Sequence, residues 1–145
     1  MDLRYLAEDA FSSLESTARE RNVTLTAEGE AKVNGVRRLL YEVLYNLCEN
    51  GIKYNKEGGN VNVSFKETQS DVSITVTDTG IGIPSEHQER VFERFYRVDK
   101  SHSKASGGTG LGLSIVKHAI QIHHGKIRLQ SEVGSGTTIH ITLPK

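Results

Sequence analysis

Three segments of this chain alternate strictly between apolar and polar residues. Val61, Val63 and Phe65 interleave with Asn62, Ser64 and Lys66; Val72, Ile74 and Val76 with Ser73, Thr75 and Thr77; Ile139, Ile141 and Leu143 with His140 and Thr142. Successive side chains of a strand point to opposite faces, so each run predicts a strand with one buried and one wet face. One-sided strands must be covered by another layer. Helical patterns supply that layer: Leu3, Leu6, Ala7, Ala10, Phe11 and Leu14 predict a helix over 2–20, and Val36, Leu39, Leu40, Val43, Leu44 and Leu47 one from 36 to about 54. A third is expected over 111–123, ending before Gly125. Val23, Leu25 and Ala27 predict a first strand, with a short piece at 31–34 pairing with it. Ile127 and Leu129 predict a hairpin with the last strand, turning at Gly134-Ser-Gly136. Residues 86–97 read as a short helical stretch and 98–110 as a polar, glycine-bearing loop. The expected fold is α/β: a two-layer α/β sandwich in one domain, its mixed, mostly antiparallel sheet packed on helices.

Composition closes off several classes of function. At 145 residues with 36% apolar and 25% charged, the chain can bury a core as one domain. Eighteen basic against 18 acidic residues give zero net charge, without the basic excess of a nucleic-acid or membrane-surface binder. A single cysteine, Cys48, excludes an internal disulfide and a thiolate zinc site. No apolar stretch approaches about 18 residues and no charged-then-apolar leader is present, so a soluble cytoplasmic domain is expected. Only 2 prolines accompany 14 glycines, so the glycines do not simply mark a loop-rich chain.

Eight of the 14 glycines fall into three clusters, Gly80/Gly82, Gly107/Gly108/Gly110/Gly112 and Gly134/Gly136. Neither known phosphate spacing fits: Ser85 and Leu113 stand where G-x-G-x-x-G needs its last glycine, and Gly125-Lys126 is followed by Ile127 rather than Ser or Thr. Yet Gly108-Thr-Gly-Leu-Gly-Leu113 leads straight into a helix, whose free N–H groups can hold phosphate oxygens. A flexible hinge is the plain alternative. On the second helix, Glu42, Asn46, Glu49, Asn50 and Lys53 lie opposite the apolar stripe. Charges there are ordinary solvated surface, but two asparagines four apart are unusual in a helix. Their neutral oxygens suit Mg²⁺ already carrying phosphate and water, and Lys53 could meet a phosphate. Asp78 shares the parity of Val72, Ile74 and Val76, so it points toward the apolar layer, where a carboxylate needs hydrogen-bond partners. The flanking Thr79-Gly-Ile-Gly-Ile-Pro84 leaves room for a flat ligand whose amino group donates to Asp78. Thr137 has the matching inward parity on the last strand. The alternative for Asp78 is a local turn cap.

In this order, these segments resemble the ATP-binding catalytic domain of bacterial two-component sensor histidine kinases, from the superfamily shared with DNA gyrase, a heat-shock chaperone and the mismatch-repair protein MutL. Leu44-Tyr-Asn-Leu-Cys-Glu-Asn-Gly-Ile-Lys-Tyr54 looks like the N box (about 42–54), and Asp78-Thr-Gly-Ile-Gly-Ile-Pro84 like the G1 box. Val91-Phe-Glu-Arg-Phe-Tyr-Arg-Val-Asp99 looks like the F box, Gly107-Gly-Thr-Gly-Leu-Gly-Leu-Ser114 like the G2 box, and Gly134-Ser-Gly-Thr137 like the final glycine turn. The resemblance covers essentially the whole chain and implies a Bergerat-type ATP-binding fold, with ATP and Mg²⁺ as ligands.

Roles follow from it residue by residue. Asn50 would ligate Mg²⁺, with Asn46 beside the metal or its waters. Lys53 and Tyr54 would line the phosphate and nucleotide side. Asp78 would accept from the adenine amine, with Gly80, Gly82 and Ile83 shaping the base pocket and Thr137 supporting the same edge, a set that disfavours guanine. Gly108, Thr109, Gly110, Leu111, Gly112 and Leu113 would hold phosphates. Arg90 and Arg97, with Tyr96 near the nucleotide, would approach the terminal phosphates as a lid at about 98–109 closes. Asn46, Lys53, Arg90 and Arg97 are the catalytic candidates.

The implied activity is transfer of the γ-phosphoryl group to a histidine on a separate dimerisation domain, and through it to a response regulator. None of this chain's six histidines has the usual acceptor setting. The related ATPases and anti-sigma serine kinases place a glutamate where this chain has Asn46; a neutral imidazole acceptor needs no base there. An anti-sigma-type serine/threonine kinase and a non-catalytic ATP-binding interaction module are the alternatives. The chain begins where the family's acceptor helices would end, so a fragment of a membrane-bound receptor is expected, with this domain on the cytoplasmic side, free of direct membrane or nucleic-acid contact. Gly51, where alanine is common, and Asn34-Gly-Val36, which lacks an aspartate common there, depart from the pattern. The His123-His124 pair is expected to face solvent, and Cys48 to pack.

Overall fold

A computed structural model describes residues 1–94, 96 and 112–145. Among the described residues three helices, α1 (Leu3–Glu20), α2 (Arg37–Lys53) and α3 (Gly112–Ile122), cover one face of a sheet of five strands. The strands are β1 (Thr24–Glu28), β2 (Asn60–Glu67), β3 (Asp71–Asp78), β4 (Lys126–Glu132) and β5 (Gly136–Pro144), in spatial order β1-β2-β3-β5-β4. Only β1 and β2 run parallel; the other neighbours are antiparallel. The expected two-layer sandwich with a mixed, mostly antiparallel sheet is the observed fold.

The alternation fixes the layering. Val61, Val63, Val72, Ile74, Ile141 and Leu143 are buried beneath Leu6, Leu14, Leu40, Leu44 and Ile120 from the helices. The outer face is a polar ladder: Thr26 Oγ1 donates to Asn62 Oδ1 at 2.7 Å, and Thr75 and His140 pair across β3 and β5 at 3.3 Å. Such cross-strand pairs hold a wet face in register. Helix α1 is capped by Asp2, whose carboxylate accepts from Arg4 N.

Three expectations change. Residues 31–34 pair not with β1 but with the start of α1: Leu3 N donates to Ala31 O at 3.0 Å and Val33 N to Met1 O at 3.1 Å. Gly29, at φ +76, turns the chain off the sheet so closely that a Cβ there would sit 2.3 Å from Phe65 O. The described residues of 86–97 form no α-helix. A 3₁₀ turn at Ser85–His87 continues as successive i→i+3 bonds, Arg90 N to His87 O and Glu93 N to Arg90 O, each 3.0 Å. Among the described residues of this stretch Val91 alone is buried, too little for a helical stripe. Third, Val36 is the exposed N-cap of α2 rather than part of its buried face.

Candidate functional site

The register of the sheet lays four residues in one row across four strands: Val61 opposite Asp78, Asp78 opposite Thr137, Thr137 opposite Ser131. The row lies at the end of β3, on the side facing the helices. Helix α2 crosses above it at Gly51, where a Cβ would be 2.8 Å from Val61 Cγ2 and 3.5 Å from Asp78 Cβ. The glycine thus brings the helix bearing Asn46, Asn50 and Lys53 down onto the row.

Asp78 is half-buried, as its parity predicts. Its Oδ1 accepts from Gly80 N at 2.9 Å and Thr137 N at 3.2 Å. Burial raises its carboxyl above the usual range, and those two N–H groups pull the other way. Among the described residues no donor reaches Oδ2, which leaves an anionic acceptor open at the strand end. The Gly80 bond is also the local turn cap weighed for this aspartate, so one oxygen caps the turn and the other is left over.

Glycines allow the backbone to close round this carboxylate. A Cβ on Gly80 would lie 2.5 Å from Tyr54 O, one on Gly82 (φ +77) 2.2 Å from Glu132 O, and one on Gly136 (φ +100) 2.0 Å from Asp78 O. Ile81 N donates to Tyr54 O at 3.0 Å, tying the end of α2 to the turn after β3. Gly134 N donates to Ile81 O at 2.9 Å, tying that turn to the β4–β5 hairpin.

On α2, Asn46 Nδ2 donates to Glu42 O at 2.7 Å, which turns Oδ1 outward. A Cβ on Gly112, at the start of α3, would stand 3.4 Å from that Oδ1 and 3.8 Å from Asn50 Nδ2. The two asparagines therefore face the beginning of α3, and the Asn50 side chain has no hydrogen bond among the described residues. Lys53 Nζ lies 3.6 Å from Glu49 Oε1, one turn back, and Tyr54 is exposed at 44%. Leu113 packs against the core. Among the described residues no three His, Cys, Asp or Glu side chains converge as a metal cluster. Asn46 presents Oδ1 and Asn50 presents Nδ2 toward the start of α3, so the Asn50 amide, unbonded among the described residues, must turn over for its neutral oxygen to fit Mg²⁺ that arrives with phosphate oxygens and water.

Arg90 is engaged locally: Nε donates to Glu93 Oε2 at 2.8 Å, and the guanidinium stands 4.6 Å above the Tyr96 ring. The Tyr96 hydroxyl bonds His87 Nδ1. Arg97, Gly108, Thr109, Gly110 and Leu111, with the expected lid at 98–109, lie outside the described residues.

Sequence reasoning missed a hub. Ser131 Oγ accepts from Ile83 N at 2.7 Å, donates to Gly136 O at 3.0 Å and meets Thr137 Oγ1 at 2.8 Å. Gln88 Nε2 adds bonds to Ile83 O at 2.8 Å and Ser131 O at 3.0 Å. The parity that singles out Thr137 on β5 also turns Ser131 inward with Ile127 and Leu129. Thr79 was missed too: its Oγ1 accepts from Asn60 N at 2.9 Å and donates to Asn55 Oδ1 at 3.0 Å, anchoring the residue after Asp78. Elsewhere, a shallow groove between α1 and β1, lined by Phe11, Glu15, Ala18 and Val23, contains none of the site residues.

Comparison with known proteins gives this geometry a family. The profile described as "Histidine kinase-, DNA gyrase B-, and HSP90-like ATPase" matches residues 35–145. The sensor-like histidine kinase SenX3 of Mycolicibacterium smegmatis is 41% identical over 147 aligned positions, covering 100% of this chain and 38% of that protein. The chain thus spans well under half of that relative's length. Among solved structures, the mycobacterial sensor histidine kinase MprB superposes with a TM-score of 0.82 at 30% identity, over 99% of this chain and 96% of that one. The catalytic domain of histidine kinase ThkA gives 0.84 at 28% identity, over 100% and 97%. By sequence profile, and in keeping with the likeness to MprB in sequence and fold, the chain belongs to the histidine kinase-, DNA gyrase B- and HSP90-like ATPase family, and within it resembles the catalytic domains of sensor histidine kinases.

Proposed function

We propose that this domain binds Mg-ATP and transfers the γ-phosphoryl group to a histidine on a separate dimerisation and phosphoacceptor domain of a two-component receptor, from which a response regulator takes it. The observation that carries the reading is Asp78, an inward carboxylate with Oδ1 held by two backbone N–H groups and, among the described residues, no donor on Oδ2. Such an acceptor suits an exocyclic amine, here the adenine amine of ATP, with Thr137, Gly80, Gly82 and Ile83 around the base. The phosphates run toward the start of α3, where Gly112 and Leu113 continue the glycine-rich segment, and Asn46 and Asn50 face them from α2. Mg²⁺, with Asn50 as its protein ligand, neutralises phosphate charge when bound.

Asn46 offers no carboxylate to activate a hydroxyl. A neutral imidazole needs none: its ring nitrogen forms the bond to the γ-phosphorus while the bond to the β,γ-bridging oxygen breaks and ADP leaves. Rate enhancement then comes from positioning and from charge stabilisation. Arg90, whose Nε is bonded to Glu93, is proposed with Arg97 to approach the terminal phosphate, with Tyr96 near the nucleotide. The parent protein is proposed to be membrane-bound, with this domain on the cytoplasmic side; no helix among the described residues is long and apolar enough to cross a membrane.

The test combines this chain with γ-labelled ATP, Mg²⁺ and a separately produced acceptor-helix domain. Acid-labile label on an acceptor histidine is the expected result. Acid-stable label on serine would replace the reading with an anti-sigma-type kinase, and nucleotide binding without transfer would leave an interaction module.

A further inference from the structure

The contacts of Ser131 determine where protons sit beside the proposed base pocket. Its hydroxyl has one proton and two lone pairs. Ile83 N can only donate, so it takes one lone pair at 2.7 Å. Gly136 O can only accept, so it takes the proton at 3.0 Å. The third contact, 2.8 Å to Thr137 Oγ1, is then a hydrogen bond only if Thr137 donates and Ser131 accepts. Thr137 therefore spends its one proton on Ser131 and keeps only lone pairs for other groups, while its backbone N–H is held by Asp78 Oδ1 at 3.2 Å. The chain is held in this sense because Gln88 Nε2 grips Ile83 O and Ser131 O together, fixing Ile83 N against the serine.

We propose that Ser131 is a positioning residue that sets base specificity by drawing the Thr137 proton away from the pocket. Two acceptors, Asp78 Oδ2 and Thr137 Oγ1, then face the base and, among the described residues, no hydroxyl donor does. At the 6-position that pair favours an amine and rejects a carbonyl, which meets acceptors. Without Ser131 the Thr137 hydroxyl is free to rotate. It can then donate to a 6-oxo group. The inference rests on the ATP-site reading above.

The experiment measures Kd for ATP and for ITP, which differ at the 6-position of the base and, with it, at N1 (an acceptor in ATP, an N–H in ITP), in the wild type, Ser131→Ala, Ser131→Thr, Thr137→Val and the Ser131→Ala/Thr137→Val double variant. The expected result is that Ser131→Ala narrows the ATP-over-ITP preference by about tenfold, the scale of one hydrogen-bond polarity. Ser131→Thr keeps the hydroxyl and restores the preference. In the Thr137→Val background, Ser131→Ala leaves the ratio unchanged. Equal weakening of both nucleotides by Ser131→Ala, or a change in ratio that persists without the Thr137 hydroxyl, would overturn the proposal. Asp78→Asn separates the two levels. Unaltered ATP affinity in that variant removes the base assignment itself, whereas lost ATP affinity with an unmoved ratio in Ser131→Ala removes only the role of Ser131.

Discussion

Gly136 and Gly134 make a matched pair for testing how the site is held together. Both have positive φ, +100 and +86. Alanine at either is strained, at about 1–3 kcal/mol for a residue in a sparsely populated region. They differ in their surroundings: a Cβ on Gly134 meets nothing within 4 Å, whereas one on Gly136 lies 2.0 Å from Asp78 O and 3.1 Å from Thr79 Cα. Neither obstacle is a flexible side chain, so β5 must move away from β3 at its first residues. The bond most exposed to that movement is Thr137 N to Asp78 Oδ1, at 3.2 Å. A hydrogen bond to a charged group contributes about 1.5–3 kcal/mol. Gly136→Ala should therefore cost about 3–6 kcal/mol and Gly134→Ala about 1–3, a gap of about 2–3 kcal/mol from close approach alone. Urea unfolding of the two variants measures the gap directly. In thermal melts it corresponds to about 4–12 °C, at about 2–4 °C per kcal/mol for a domain of this size. Nucleotide affinity should fall with Gly136→Ala and stay close to wild type with Gly134→Ala. Equal destabilisation by the two alanines would refute the claim that β3–β5 proximity at Asp78, rather than turn conformation, requires glycine at 136.

Gly51→Ala should destabilise the domain even though alanine gains about 1 kcal/mol of helix propensity. Its Cβ meets Val61 Cγ2 at 2.8 Å, and overpacking costs about 1–3 kcal/mol. In a Val61→Ala background the same change should become neutral or stabilising, as read by a double-mutant cycle in urea. Burial pushes the Cys48 thiol up to about 12, so a thiol reagent at pH 8 should label the native protein negligibly and the urea-unfolded chain fully. Burial also raises Asp78, and the proposed adenine contact needs its ionised form. ATP affinity should therefore decline on acidification at a higher pH than an ordinary carboxylate would give, and that limb of a titration by calorimetry should vanish in Asp78→Asn, whose affinity is already low.

Features that depend on local period were legible in the sequence. Alternation found the strands, and its phase alone turned Asp78 and Thr137 inward, ahead of any knowledge of their neighbours. The same rule, applied to Ile127, Leu129 and Ser131, identifies the hub of the base-side network, because a polar residue in phase with apolar ones faces inward, where its hydroxyl must find partners. Contacts between elements distant in the chain left no such trace. Gly51 looks like a weak helix position until α2 is laid on β2; then it is the point where the helix comes closest to Val61 and Asp78, and its lower helix propensity is the consequence of that approach. His123 is the other case. As one of an adjacent pair at a helix end it reads as solvated, yet it is half-buried: its Nδ1 donates to Ala119 O at 2.8 Å and its Nε2 accepts from Val36 N at 3.0 Å. A backbone N–H can only donate and a carbonyl only accept, so both contacts require the neutral ring with its proton on Nδ1. The N-cap of α2 has no side-chain cap of its own. The imidazole from the end of α3 takes its place, accepting from the N-cap N–H as the third helical residue does in a capping box. The missing aspartate before α2 and the unexplained histidine after α3 are thus two halves of one contact. It joins the helix carrying Asn46 and Asn50 to the helix whose start those asparagines face, so the spacing of the proposed phosphate site is set in part from its opposite end.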